Sequence, residues 1–359
     1  MTTPAKLKIF KNFLYLAWKH LQLPEPTEIQ YQMADYLQYG PKRLCIQAFR
    51  GAGKSWITSA FACWNWLMDP QKNILVISAS KTRADDFSTF TQRLINEIPI
   101  LAHLQPNDDQ RSSKVSFDVG PARASHAPSC KSMGITGQLT GSRADLIIAD
   151  DVESANNSQT QLMRDRLSET VKEFDSIIKP EIGRIVFLGT PQTELSIYNS
   201  LEERGYKTQI WPARFPDSKA IISYGRKLAK QILEQNEKYK PGQPLDPKRF
   251  DEVDLMEREA SYGRSGFSLQ FMLDTTLSDT NKYPLKLNDL IIMSGCSTWE
   301  EAPGKVQWAN SIDQIKALDS ELPNVGLKGD YFVAPMHASQ HYFPFEGSVM
   351  SIDPAGRGA

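Results

Sequence analysis

The segment Gln47-Ala48-Phe49-Arg50-Gly51-Ala52-Gly53-Lys54-Ser55 has the residue types needed to hold phosphate. Gly51 and Gly53 let the backbone turn tightly around Ala52, so that successive N–H groups converge on phosphate oxygens. Lys54 can reach the β- and γ-phosphates, and the Ser55 hydroxyl can ligate Mg²⁺. One position departs from the G-x-x-x-x-G-K-[ST] pattern, because Ala48 stands where the first glycine is expected. A relaxed loop of this kind also occurs by chance, so its setting matters. Here an apolar run, Leu44-Cys45-Ile46, precedes it and an apolar-rich helical stretch over 56–68 follows, which is the strand–loop–helix context the chemistry requires.

A second set of chemically capable residues lies at Leu146-Ile147-Ile148-Ala149-Asp150-Asp151. Apolar residues followed by paired carboxylates describe a buried parallel strand that delivers acids to its carboxyl end, where open α/β sheets bind ligands. Asp150 is expected to hold Mg²⁺ through water, and Asp151 or Glu153 to orient and deprotonate an attacking water. The alternative is a strand ending in a solvated acidic turn.

The elements that must position these residues follow from hydrophobic periodicity. Apolar, β-branched runs at 44–47, 74–78, 146–149, 184–188 and 208–211 alternate with helical patterns at 54–68, 81–97, 161–179 and 194–204. Such alternation predicts an α/β fold, a mainly parallel sheet with helices on both faces. A shorter strand near 115–119, with antiparallel pairing open to it, completes the expectation. After about Pro216 the pattern changes to polar helices at 220–239 and 251–262, then an apolar run at 267–272. Beyond Asp274 prolines are scattered among short apolar pieces, as in a lid or linker.

Two further turns are candidates for the same site. Pro26-Thr27 followed by Gln30 starts a helix with Thr27 as its N-cap. The segment is then either just a capped helix or, through the Gln30 amide, a reader of the adenine edge that selects ATP. Leu188-Gly189-Thr190-Pro191-Gln192-Thr193 follows the 184–188 strand. Thr190 is placed to report the state of a γ-phosphate, or the segment is an ordinary turn with Thr193 as a helix cap.

Composition sets wider bounds. The chain has 359 residues, 40% hydrophobic and 23% charged, with a net charge of −1, ordinary for a globular protein and no advertisement of nucleic-acid binding. Cys45, Cys63, Cys130 and Cys296 form no C-x-x-C pair, which argues for reduced thiols rather than a disulfide frame or zinc ribbon. His337 and His341 fall in a proline-rich stretch and make a poor metal site. The first twenty residues carry one apolar stripe, Phe10, Phe13, Leu14, Ala17 and Trp18, as in a docked helix rather than a signal peptide. No stretch approaches a membrane span, so a soluble, intracellular protein is expected.

In this order, Phe49 to Ser55, Ser78-Ala79-Ser80-Lys81, the stretch 134–145, Ala149-Asp150-Asp151-Val152-Glu153 and 188–194 resemble the large terminase subunits of phages, the DNA-packaging ATPases, and most closely the DNA-maturase type of short-tailed phages. The resemblance runs through essentially the whole chain. It implies a P-loop NTPase domain of the ASCE type over 1–275, a lid or linker over 276–345, and the first strand of an RNase H-like nuclease over 346–359. It also implies ATP and Mg²⁺ as cofactors, and a ring, expected as a pentamer, that acts in the host cytoplasm. Its implied partners are double-stranded DNA, the portal protein and the small terminase subunit. Arg50 resembles the family's loop arginine, which neutralises γ-phosphate charge. Arg143 resembles an arginine finger for a neighbouring subunit, the alternative being pairing with Asp145 or Asp151. Many terminases carry Asp-Glu where this chain has Asp150-Asp151, which keeps both Asp151 and Glu153 open as the base.

By the same resemblance Asp353 is a metal ligand of the nuclease. A two-metal site needs further carboxylates, so a truncated subunit without nuclease activity is expected. Two other functions share parts of the pattern: a helicase-like translocase, which needs a second ATPase-like domain, and a nucleotide-binding switch without turnover. Lys42-Arg43 and Lys248-Arg249 are candidate DNA contacts, weighed against ordinary solvated surface charge.

Overall fold

The computed structural model describes residues 4–139, 141–191, 195–235, 238–274, 300–307, 316–317 and 333–347. The chain divides into two units, residues 1–281 and 282–359. The first begins with helices α1 (Phe10–His20) and α2 (Glu28–Tyr39). These lead into β1 (Arg43–Ala48), α3 (Lys54–Met68), β2 (Ile74–Ser78) and α4 (Lys81–Glu97). Four strands follow β3 (Ser116–Phe117): β4 (Cys130–Gly134), β5 (Leu146–Asp150), β6 (Arg184–Gly189) and β7 (Lys207–Trp211). The seven form one sheet in the order β3-β4-β2-β5-β6-β1-β7. All neighbours are parallel except β3, which runs antiparallel to β4.

Side-chain alternation explains how the sheet fills both of its faces. Leu44, Ile46, Ile74, Val76, Leu146, Ile148, Val186 and Leu188 belong to one apolar cluster, which also holds Phe10, Phe13, Met33, Phe61 and Trp66 from α1–α3. Their neighbours Cys45, Leu75, Ile77, Ile147, Ala149, Ile185 and Phe187 belong to a second cluster with Leu167, Val171, Phe174 and Tyr198. A period of two sends successive residues to opposite faces, so strands covered on both sides read as unbroken apolar runs. Helix α3 is buried from Ile57 to Leu67, as expected of a helix apolar all round. Most of the expected strands and the helices at 54–68 and 81–97 form as read, and the short strand near 115–119 is antiparallel.

The structure corrects the remaining elements. Strand β4 escaped the sequence reading because Lys131 and Ser132 interrupt its apolar pattern, yet Ile74–Ser78 holds it in register as a parallel neighbour. The helix expected over 161–179 is Gln161–Lys172 followed by Phe174–Ile177. Ile178 turns extended at ψ 135 as the C-cap, two residues ahead of Pro180, which cannot continue a helix. The helix at 194–204 shrinks to Ile197–Ser200 and a 3₁₀ turn, Glu202–Arg204, closed by Gly205 at φ 83. That at 220–239 breaks at Gly225 (φ 54) into Ser218–Tyr224 and Lys230–Gln235. The 251–262 helix instead runs over Glu252–Phe267, with a kink at Gly263, before a π-helical turn, Ser268–Met272.

In the second unit, the described pieces are short antiparallel pairs: Glu301–Pro303 with Tyr342–Pro344, Val306–Gln307 with His337–Ala338, and Lys316–Ala317 with Val333–Ala334. His337 is in a strand there and shares no helical face with His341. Asp353, Thr193 and Cys296 lie outside the described residues. No described helix is long and apolar enough to cross a membrane.

Gly189 closes β6 against a fully buried ring. A Cβ there would stand 2.0 Å from Cζ of Tyr198 and 2.3 Å from its hydroxyl. Gly189→Ala is therefore expected to destabilise the domain by about 1–3 kcal/mol, the usual cost of overpacking. Urea denaturation followed by circular dichroism measures it, and an unchanged midpoint refutes the packing argument.

Candidate nucleotide site

β1 ends at Ala48 and α3 begins at Lys54, so the phosphate loop bridges a strand and the amino end of a helix. Gly51 and Gly53 adopt φ 93 and 89, left-handed values that strain any side chain. A Cβ on Gly51 would also stand 2.6 Å from the Phe250 ring. The loop is pinned from outside: the Phe49 N–H donates to the Trp211 carbonyl (3.1 Å) and the Arg50 N–H to that of Gln270 (2.9 Å). Lys54 is buried and donates through Nζ to the Ala48 carbonyl at 2.6 Å. Burial, joined by the charge of Arg50, pulls its pKa below the ordinary lysine value, while Asp151 and Asp150 oppose the shift. Around the loop lies a cleft of about 620 Å³ lined by Arg50, Lys54, Ser55, Asp151, Glu153 and Thr190, among others.

The carboxylates reach this cleft because β6 alone separates β5 from β1. Ser55 Oγ donates to Asp150 Oδ2 at 2.8 Å. Asp150 is buried, and its Oδ1 has no hydrogen-bond partner, a costly arrangement for a carboxylate. Its pKa is pushed up to about 7, first by burial and then by Asp151, while Ser55, Lys54 and Arg83 pull it down. A small divalent cation would supply both the missing partner and the missing charge. No group of three or more His, Cys, Asp or Glu residues suited to a metal occurs among the described residues. A cation here would thus take its remaining ligands from water and phosphate, the habit of Mg²⁺.

Asp151 and Glu153 sit differently. Asp151 adopts φ 46, an uncommon conformation that aspartate and asparagine tolerate better than most residues and that recurs at functional sites. Its side chain is 34% exposed, with Arg83 Nη1 at 3.9 Å from Oδ2. Glu153 is only 3% exposed. Its Oε2 accepts from the Ser196 hydroxyl (2.7 Å) and the Ile197 N–H (2.8 Å).

A family model for the terminase large subunit, T4likevirus-type, N-terminal, matches residues 45–176, the stretch that holds the loop and the carboxylates. The large terminase subunit of Enterobacteria phage T3 is 49% identical over 356 residues, 97% of this chain. Over nearly its whole length the chain is similar to a phage terminase large subunit. It spans 60% of the length of the T3 protein. Among solved structures, the ATPase domain of the Thermus phage P74-26 large terminase is 13% identical with a TM-score of 0.39, over 72% of this chain and 97% of that one. The HK97 bacteriophage large terminase is 12% identical with a TM-score of 0.43, over 74% and 55%. The fold is α/β, a mainly parallel sheet with the loop after its first strand, an arrangement consistent with a P-loop NTPase.

The remaining expected residues divide. Gln30 reaches the loop, but its amide is engaged within the protein: Nε2 donates to the Ala52 carbonyl (3.1 Å) and Oε1 accepts from the Thr27 N–H (3.2 Å). It ties the cap of α2 to the loop, as a capping-box residue does. Thr190 is buried at the cleft edge. Arg143 is not brought to the cleft and pairs with neither carboxylate expected for it. It donates to the Ser176 carbonyl at 2.9 Å, and Asp145 pairs instead with Lys179 at 2.8 Å. Sequence reasoning did not single out Arg83, Trp56 or Gln270 as lining residues. Of these, Trp56 could have been found, since it lies two positions beyond Lys54.

Because Asp150 has a raised pKa in the fold against about 3.9 when unfolded, the folded state binds the extra proton between those values. Its stabilising contribution is full below pH ~4 and is lost as pH rises toward about 7. The metal-free protein is expected to lose thermal stability over that window, and Asp150→Asn to lose less of it. Equal slopes for the two proteins in a pH series of melting curves would refute this.

Proposed function

We propose that this chain is the ATP-hydrolysing motor part of a terminase large subunit, driving double-stranded DNA into a viral procapsid. The observation that carries the ATPase part of this reading is the Ser55–Asp150 hydrogen bond, between a phosphate-loop hydroxyl and a strand-end carboxylate with an unpartnered oxygen, and the DNA-packaging part rests on the similarity to terminases. Ser55 and Asp150 fit Mg²⁺, which when bound neutralises charge on the β- and γ-phosphates. The loop amides from Gly51 to Ser55 hold phosphate oxygens, and Lys54 exchanges the Ala48 carbonyl for phosphate. Arg50 neutralises charge that develops in the transition state.

Asp151 is the better placed base. Its carboxylate is open to the cleft, whereas Glu153 already accepts two hydrogen bonds from the Ser196-Ile197 turn. Glu153 then acts by holding that turn. Thr190, next to the end of β6, is placed to sense the γ-phosphate. Arg143 precedes β5 and Asp150 ends it, so the strand sets the two apart by on the order of 15–20 Å. Arg143 therefore does not reach this chain's own cleft, and as a finger it would serve a neighbour's cleft in a ring. By kinship with terminases the ring is a pentamer on the portal protein, supplied with DNA by the small terminase subunit.

Steady-state ATP hydrolysis with and without linear duplex DNA tests the proposal. Lys54→Ala is expected to abolish turnover, and Asp151→Asn to lower kcat by about 10²–10⁴-fold, the usual contribution of a general base. Glu153→Gln should cost less. Full activity in Asp151→Asn removes that residue from the base role, and absence of turnover with DNA present removes the motor reading.

A further inference from the structure

One arginine of the cleft is explained by neither the loop nor the carboxylate strand. Arg249 lies beyond the residues 45–176 that the terminase model matches, in a turn that follows the sheet. It lines the cleft together with Gly51, Gly53 and Lys54. Its Nη2 donates to the Gly51 carbonyl at 3.0 Å, and its Nη1 comes within 3.9 Å of the position a Cβ on Gly53 would occupy. Arg249 is exposed and makes no ion pair with any described carboxylate.

The turn that carries it is fixed to the loop more firmly than a solvated surface charge requires. The backbone N–H groups of Arg249 and Phe250 both donate to the Asp246 carbonyl, at 3.0 and 2.9 Å. Asp246 is buried and accepts from the Thr27 hydroxyl at 2.8 Å. Phe250, also buried, meets Phe49 edge-on at 5.4 Å and fills the space beside Gly51. Thus a guanidinium is held beside the phosphate loop with a neutral carbonyl as its acceptor. An anionic phosphate oxygen is the stronger acceptor, and the guanidinium fork matches it.

We propose that Arg249 is a nucleotide-binding residue, which exchanges the Gly51 carbonyl for a β- or γ-phosphate oxygen when ATP enters the cleft. This rests on the nucleotide-site reading above and adds to it a contact from outside the sheet. It also gives Arg249 a role other than DNA contact.

The test is equilibrium binding of a fluorescent ATP analogue to the full chain, with competition by ATP, ADP and AMP. Arg249→Ala is expected to weaken ATP by about ten- to a hundredfold, as for loss of a charged hydrogen bond. AMP should weaken much less, Arg249→Lys should recover part of the loss, and the melting temperature should be unchanged. Undiminished ATP affinity in Arg249→Ala overturns the proposal. So does equal weakening of ATP and AMP, which marks a purely structural effect on the loop. If Arg249→Ala melts early, Arg249→Lys decides: wild-type ATP-to-AMP selectivity supports a charge contact, and selectivity lost in a stable Lys variant overturns it. Wild-type protein that binds no nucleotide overturns the site itself, an outcome distinct from the others.

Discussion

The hydrogen bond from Ser55 to Asp150 depends on almost everything else in the first unit being in place. It joins residues 95 apart in sequence, one at the start of α3 and one at the end of β5. For them to meet, β6 must insert between β1 and β5 in register, so that Ile46 stands beside Leu188 and Leu188 beside Asp150. That register is fixed by two-sided burial, because a slip of one residue would exchange the sets of side chains facing the two apolar clusters. Packing far from the cleft thus determines the position of a single carboxylate oxygen.

The same point concentrates unfavourable terms that a ligand can relieve. A buried carboxylate with an unpartnered oxygen, a lysine resting on backbone carbonyls and an aspartate in a left-handed conformation lie on one loop-and-strand edge. Each is tolerated because the surrounding sheet is closely packed. Cations and phosphates would satisfy these groups, so the site is preorganised for charge of that kind.

Much of the loop's support comes from chain that is remote in sequence. Trp211, Gln270, Arg249 and Phe250 all touch it, and Thr27 with Gln30 holds it from the other direction. The region after the sheet is therefore part of the site's framework.

The amino-acid sequence by itself determined the strands with unbroken apolar runs, helices α3 and α4, the phosphate loop and the carboxylate pair, because each is a local pattern of periodicity or residue type. It did not reveal β4, whose Lys131 and Ser132 belong to a strand only through pairing with β2. Nor did it place the helix breaks at Gly225 and Gly263, where glycine permits a positive φ without requiring it. The hydrogen-bond partners of Gln30, Glu153, Arg143 and Arg249 were set by the tertiary structure. Each depends on which distant backbone or side-chain group lies within hydrogen-bonding distance, and only the folded chain sets that distance.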